Sequence, residues 1–283
     1  VKCLVFGATG TVGSRVAHHL IAAGSRPSVF VRDAIKAREM FGDQVDIHIG
    51  DLEAPGFTLP AALDGVDGIF LLTDGPNLHE HDRAISAAAY QAGVAHIVKL
   101  STLDVLTGIG TGPWHAAGEL AIRESGVPFT FIQAAGFMSN ALGWSHLIRN
   151  EGILRFSTGE GKIAFIHPSD IAAVAATALL TRENDGRALV ITGPEALSYR
   201  EMAATIGRTI GKSIDVEEIS DQQARANAVR WAGEGPYVDA LVDIWRAVRQ
   251  GRLDTVTDGV RQAIGREPIS FAQWASENAA SFE

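Results

Sequence analysis

The sequence predicts an α/β fold: a doubly wound parallel sheet followed by a smaller α+β part. Three observations predict it. Candidate strands and helices alternate through the first half of the chain; three of those strands are almost wholly apolar, as strands covered by helices on both faces are; and the first strand runs through a glycine turn straight into a helix.

The elements follow in order. Residues 1–6 form an apolar strand, the glycine turn occupies 7–13, and an amphipathic helix runs over 11–23 to stop near Gly24. A strand at 27–31 leads to a charged helical stretch at 34–41. Strands at 45–49 and 68–72 flank a region closed by the turn Asp64-Gly65-Val66-Asp67. The helix at 80–92 has an alanine-rich face suited to close packing on a sheet and ends at Gly93. A strand at 96–100, a helix at 113–124 and a strand at 129–133 complete the alternation. This first part, residues 1–136, reads as a Rossmann-type dinucleotide-binding domain.

Beyond Phe137 the alternation loosens. Residues 137–283 read as a substrate-binding part, tightly fused to the first because no Pro/Ser-rich linker separates them, and returning elements to its core. Residues 152–156 and 162–166 read as a strand pair around the turn Thr158-Gly159-Glu160-Gly161. Ser169 or Asp170 caps a helix through 180, residues 188–192 form a further sheet strand, and Ser198 caps a helix over 199–210. A short strand at 214–219 follows, and Trp231, Trp245 and Trp274 are packing anchors for the helical remainder.

The turn carries the first chemistry. In Gly7-Ala8-Thr9-Gly10-Thr11-Val12-Gly13, Gly7 allows the tight turn, Gly10 lets backbone approach a pyrophosphate, and Gly13 lets the helix pack closely. Phosphates then face the amides at the helix N-terminus. Arg32 stands at the end of the second strand, where a carboxylate would bind a ribose 2′-hydroxyl; a guanidinium suits a 2′-phosphate, so the expected cofactor is NADP(H). Lys36 or Arg38 offers a second positive contact. Asp51 and Leu52 leave the third strand where the adenine edge would lie, although a Gly-Asp pair is also a common turn. Thr73, Ser101 and Thr102 end strands where they would line the nicotinamide ribose.

Composition narrows the alternatives. A formal net charge of −9 among 283 residues, with the basic residues scattered, argues against nucleic acid. The sequence displays neither a membrane-length apolar run nor a basic segment leading an apolar stretch, and Cys3 is its single cysteine, so the expected compartment is the cytoplasm. The nine histidines show no zinc-type spacing with cysteine, and no metal is expected. Oligomeric state is open between monomer and homodimer.

The glycine spacing G-x-x-G-x-x-G, Arg32, the Gly50-Asp51-Leu52 corner, the block Glu124-Ser125-Gly126-Val127-Pro128-Phe129-Thr130 and the ending Gly265-Arg266-Glu267-Pro268 through Phe271 and Trp274 resemble the atypical short-chain dehydrogenase/reductase group related to NmrA. The chain is similar to that group's bacterial NAD(P)H-dependent quinone-reductase-like members and, more remotely, to isoflavone-reductase-like enzymes. The Tyr-x-x-x-Lys acid of ordinary short-chain enzymes is missing: Tyr90, Tyr199 and Tyr237 each lack a lysine four residues on. Counting back from Gly126-Val127-Pro128, the resemblance places His115 at the position of the catalytic lysine of isoflavone-reductase-like enzymes. Glu119, one helical turn on, shares its face and is expected to orient the imidazole and favour its protonated form. The bland reading of the two is a surface pair on an amphipathic helix.

Substrate contacts are expected from the loop after the sixth strand: Gly136, Phe137, Met138 and Asn140, with Trp114 and Trp144 enlarging an aromatic pocket. Phe137 and Met138 offer a flat apolar surface and Asn140 a hydrogen bond, although a core role suits Met138 better. This suits a planar, quinone-like acceptor. The resemblance therefore implies an NADPH-dependent reductase of a quinone or related conjugated carbonyl. It also admits a non-catalytic NADP(H) sensor acting through a protein partner, and a reductase or isomerase of a polyketide-type intermediate.

Overall fold

A computed structural model describes residues 1–53 and 59–283. The elements run β1 (Cys3–Phe6), α1 (Gly13–Ala22), β2 (Ser28–Val31), α2 (Ala34–Phe41), β3 (Asp46–Ile49), α3 (Leu59–Ala62), β4 (Gly68–Leu71), α4 (Leu78–Gln91), β5 (His96–Thr102), α5 (Gly112–Ser125) and β6 (Phe129–Ala134). There follow α6 (Ser145–Glu151), β7 (Ile153–Phe156), β8 (Lys162–Ile163), α7 (Pro168–Thr181), β9 (Arg187–Ile191), β10 (Leu197–Ser198), α8 (Tyr199–Ile210) and β11 (Asp215–Glu218). Helices α9 (Asp221–Ala232), α10 (Pro236–Arg249), α11 (Gly259–Ile264) and α12 (Phe271–Glu277) end the chain.

The fold is the doubly wound sheet the sequence predicts. Seven strands lie in the order β3-β2-β1-β4-β5-β6-β9, and every pair from β3 to β6 is parallel. The order reverses between β1 and β4, so the crevice at the carboxyl ends of these two strands is where such a sheet takes a ligand. Strands β1, β2 and β4 are buried at every position because helices cover both faces. Burial also pushes the Cys3 thiol in β1 up to about 11, which makes it an inert core residue.

Two compact units form. The first comprises Val1–Val105, Pro113–Ala134 and Pro168–Val190, so α7 and the bulk of β9 return to it from the second half of the chain. Its core joins Leu4, Phe6, Ile69, Leu71, Ile97 and Phe131 from the sheet to Ile85 and Ile122 from α4 and α5. The second unit comprises Leu106–Gly112, Ala135–His167 and Ile191–Glu283. Its core centres on Tyr199, ringed by Trp144, Phe156 and Phe165, together with Met202, Phe271, Trp274 and Phe282. Ser198 caps α8 with a capping box closed by Glu201, as the Ser-x-x-Glu spacing requires.

Two expectations fail. The strands on either side of 158–161 do not pair with each other: β7 pairs in parallel with β11, and β8 pairs antiparallel with β10. Gly161 is needed for a close approach, not for a hairpin turn; a Cβ there would lie 1.8 Å from the Val248 carbonyl oxygen. Trp231 is not a packing anchor either, being 65% exposed and edge-on to Tyr237 at the surface. Among the described residues no helix is long and apolar enough to cross a membrane.

Candidate active site

The nucleotide cradle is built by three glycines with separate duties. Gly7 adopts φ +66°, a left-handed conformation that side chains disfavour. Its carbonyl accepts from the Gly10 amide at 2.9 Å and closes the turn. Gly13 opens α1, where a Cβ would lie 2.3 Å from the Gly7 carbonyl oxygen, so the helix can start this close to the turn only without a side chain. A Cβ on Gly10 would be 3.3 Å from the same oxygen, a tighter than usual but milder contact. Val12 is buried and takes the N-cap position with no side-chain cap bond; the Ser14 amide donates to the Gly10 carbonyl at 3.2 Å, so only the other amides at the start of α1 are left to a ligand. Thr9 is half-buried, and Gly10 and Thr11 are exposed at the mouth of the cradle. Arg15 donates to the Thr11 carbonyl at 2.5 Å and sets a cation in the first turn, where the helix dipole favours an anion. These features fit the pyrophosphate of a dinucleotide.

Arg32 is exposed immediately after β2. The next residue, Asp33, caps α2 by accepting from Ile35 N at 2.9 Å and Lys36 N at 3.0 Å, which turns its carboxylate away from a ribose. Asp51 is exposed and accepts from the Glu53 amide at 3.2 Å within its own turn; Leu52 packs against the first unit's core.

The three hydroxyls expected along the nicotinamide ribose are committed inside the protein. Thr73 Oγ1 donates to Asp82 Oδ1 at 2.7 Å and accepts from Lys99 Nζ at 3.1 Å. Ser101 Oγ donates to Glu119 Oε1 at 2.6 Å, and Thr102 Oγ1 accepts from the Asp104 amide at 3.2 Å.

His115 and Glu119 lie on α5 with Gly118 and Ile122, at the spacing of one helix face. That face turns inward. Glu119 and Ile122 are buried, and so is Nδ1 of His115, without a hydrogen-bond partner, while the ring as a whole is only partly exposed. The surface-pair reading is thereby excluded, but the expected orienting contact is absent too. Glu119 Oε1 accepts from both Ser101 and Gln133, the latter at 2.9 Å, and Oε2 faces Arg123 at 4.0 Å. The imidazole is not favoured in its protonated form: burial first, and the Lys99 ammonium second, lower its pKa to about 3. A neutral imidazole can donate one hydrogen bond; it cannot act as a strong acid at pH 7.

Lys99 and Asp82 are the residues that sequence reading overlooked. Both are 0% exposed, and Nζ meets Oδ2 at 2.7 Å. A lysine within the otherwise apolar run of β5 was the available signal, since an unpaired buried ammonium is not tolerated.

In the second unit the loop expected to meet substrate divides. Met138 is 1% exposed and packs in the core, so its side chain is not a substrate surface. Gly136 is held close to Phe165, whose Cε1 would lie 2.7 Å from a Cβ; Phe137 is half-buried beside Ile166; Asn140 is exposed. Trp144 lies tilted against Tyr199 at 5.0 Å between ring centroids and packs against that core. Burial also pushes the Tyr199 phenol well above its ordinary range, which removes it as a proton donor. Among the described residues no group of three His, Cys, Asp or Glu side chains is arranged to hold a metal ion.

Comparison with known proteins identifies the family. The chain is 36% identical over 288 aligned positions to an NAD(P)H azoreductase of Xenophilus azovorans, covering 99% of this chain and 98% of that one. It is 35% identical to a (4-alkanoyl-5-oxo-2,5-dihydrofuran-3-yl)methyl phosphate reductase of Streptomyces griseus, again over 99% of this chain and 98% of that one. A solved NADPH-dependent quinone oxidoreductase from Escherichia coli, complexed with NADPH, shares the fold at a TM-score of 0.87 with 24% identity, covering 98% of this chain and 99% of its own. Residues 1–244 match the NmrA-like family, and the chain belongs to it.

Proposed function

We propose that this protein uses NADPH to reduce a quinone or a related conjugated carbonyl. The protein is an NAD(P)H-dependent oxidoreductase, the activity type of its full-length relatives. Bound NADPH supplies a hydride. The residues 7–13 turn and the start of α1 would hold the pyrophosphate, and Arg32, exposed after β2, would meet the 2′-phosphate. The observation that carries the choice of acceptor is the burial of His115 Nδ1 on α5 without a hydrogen-bond partner, with Glu119 bonded to Ser101 and Gln133 instead; burial there disfavours the protonated ring. With no Tyr-x-x-x-Lys acid in the sequence and an imidazole that offers a hydrogen bond only, the site suits an acceptor whose reduced oxygen is a delocalised anion. Quinones and unsaturated carbonyls have that property. Gly136, Phe137 and Asn140 are proposed to contact the acceptor.

Arg32→Ala is expected to raise the Kd for NADPH roughly thirtyfold, about 2 kcal/mol for a lost charge-assisted contact, and to leave that for NADH nearly unchanged. Calorimetric titration with both nucleotides checks it; equal losses would place the 2′-phosphate elsewhere.

Stopped-flow mixing with NADPH and a panel of quinones, an unsaturated lactone and an azo dye tests the reaction. Turnover of the quinones or the lactone is expected, and His115→Ala should lower kcat about a hundredfold, the usual effect of losing one donor to a developing oxyanion. Tight NADPH binding with no acceptor reduced would replace this reading with a nucleotide sensor.

A further inference from the structure

The chain enters α5 through a segment that by composition would be loose. Residues 106–112 read Leu106-Thr107-Gly108-Ile109-Gly110-Thr111-Gly112, with three glycines among seven residues, and a glycine gives up more backbone freedom on ordering than any other residue. The first amides of a helix have no partner inside it, so the placement of its opening turn depends on what precedes it. His115 stands in that opening turn, three residues after Gly112.

The segment is nevertheless fixed at two adjacent residues. Ile109 is 2% exposed and lies in the apolar cluster that holds Tyr199 and Met202. Its carbonyl accepts from the Gly112 amide at 2.8 Å, and Gly112 is the first residue of α5. Gly110 donates its amide to Asp243 Oδ2 of α10 at 2.8 Å, across 133 residues of sequence. A bond to a carboxylate is roughly twice as strong as one between neutral groups. Gly110 holds φ +54°, and a Cβ on it would lie 2.4 Å from Ile244 Cγ1 and 3.1 Å from the Ala240 carbonyl oxygen. Ala240, Asp243 and Ile244 share one face of α10, so the glycine backbone is pressed against that face where a side chain has no room. Leu106, Thr107 and Gly108, just before the anchored pair, are exposed.

We propose that Asp243 is a positioning residue for His115. By holding the Gly110 amide it fixes the turn that Ile109 closes onto Gly112, and with it the direction in which α5 starts and presents the imidazole. Glu119 does not steer the ring, being engaged by Ser101 and Gln133, and Nδ1 is buried without a partner, so the backbone that carries His115 sets its place. Without the anchor, residues 109–112 regain their glycine freedom and the first turn of α5 moves with them. An error of about 1 Å in a reacting geometry is enough to cost turnover roughly a hundredfold. The anchor stands by itself; its effect on turnover rests on the reductase reading.

Hydrogen exchange of the full chain, followed amide by amide by NMR, tests it beside stopped-flow turnover with NADPH and a quinone. In the unaltered protein the amides of residues 110, 112 and 114–116 should open together, as one unit. Asp243→Ala should speed their exchange about tenfold or more and lower kcat about tenfold or more, with the KM for NADPH unchanged. A general loss of folding would instead quicken exchange throughout α8 and α10 as well. Asp243→Asn should restore both quantities, since its side-chain oxygen accepts the same bond. Asp239→Ala, which removes an exposed ion pair with Arg225 from α10, should change neither. Exchange that quickens only at residues 106–111, an Asp239→Ala protein that behaves like Asp243→Ala, or no rescue by asparagine would each overturn the proposal. If Asp243→Ala does not fold, the wild-type amides decide, and their separate opening overturns it. Amides that open together and respond to Asp243→Ala, in a protein that reduces no acceptor, would sink the reductase reading and leave the anchor standing. Turnover untouched in Asp243→Ala would remove the positioning role and leave the reductase reading intact.

Discussion

Asp82→Ala is expected to destabilise the protein by about 3–5 kcal/mol, the cost of leaving one partner of a buried ion pair uncompensated. Lys99 is 0% exposed and has Asp82 Oδ2 at 2.7 Å and Thr73 Oγ1 at 3.1 Å as its polar neighbours. With the carboxylate gone, a hydroxyl alone faces the ammonium, which must either lose its proton or draw water into the space between α4, α5 and β5. Lys99→Met/Asp82→Asn should recover the larger part of the loss, because it removes both charges together. Urea unfolding at pH 7 of the three proteins measures the difference. A single variant within about 1 kcal/mol of wild type would mean that Lys99 finds another partner.

The second large effect is on the cofactor. Gly13→Ala is expected to weaken NADPH binding about a hundredfold or more and to cost about 1–3 kcal/mol of stability from overpacking. The added Cβ would stand 2.3 Å from the Gly7 oxygen and 2.6 Å from its carbonyl carbon, both backbone atoms that cannot swing aside as a side chain would. Relief requires the start of α1 to move off the turn, which would take the helix N-terminus away from a bound pyrophosphate. Gly10→Ala is the control: at 3.3 Å from the same oxygen its Cβ is accommodated by a small shift, so folding should be kept even where affinity falls. Thermal melts and fluorescence titration with NADPH separate the two effects. Unchanged affinity in Gly13→Ala would show that the cradle does not hold the pyrophosphate.

Much of the fold was legible in the chain where its signals are local. Residues 34–41 form α2 as predicted, with Asp33 as the cap, and Ser198 closes α8 as its spacing to Glu201 implies. The glycine turn lies between a strand and a helix that are adjacent in sequence. The hairpin at 158–161 misled because its glycines answer to a distant neighbour: Gly161 makes room for Val248, and β7 finds its partner in β11, roughly sixty residues on. Trp231 departed from expectation for the same reason, since burial depends on what covers a residue and sequence does not carry that information, while Met138 took the core place that suited it better.

His115 and Glu119 show the limit most clearly. Spacing placed His115 and Glu119 on one helix face, and they are there. Whether the carboxylate would touch the imidazole was decided by Ser101 and Gln133, which are presented by neighbouring parallel strands and reach Glu119 first. Lys99 and Asp82 lie on a strand and a helix that meet only after folding, so no motif announced the charge that acts on the ring.

The sequence by itself determined the strand and helix alternation, the glycine cradle and the cation at the end of β2, because helix periods, turn conformations and capping act over a few residues. The tertiary structure alone decided which polar side chains share a buried space. That made His115 neutral instead of protonated, since the energy of a buried charge depends on groups that only the packed sheet brings within reach.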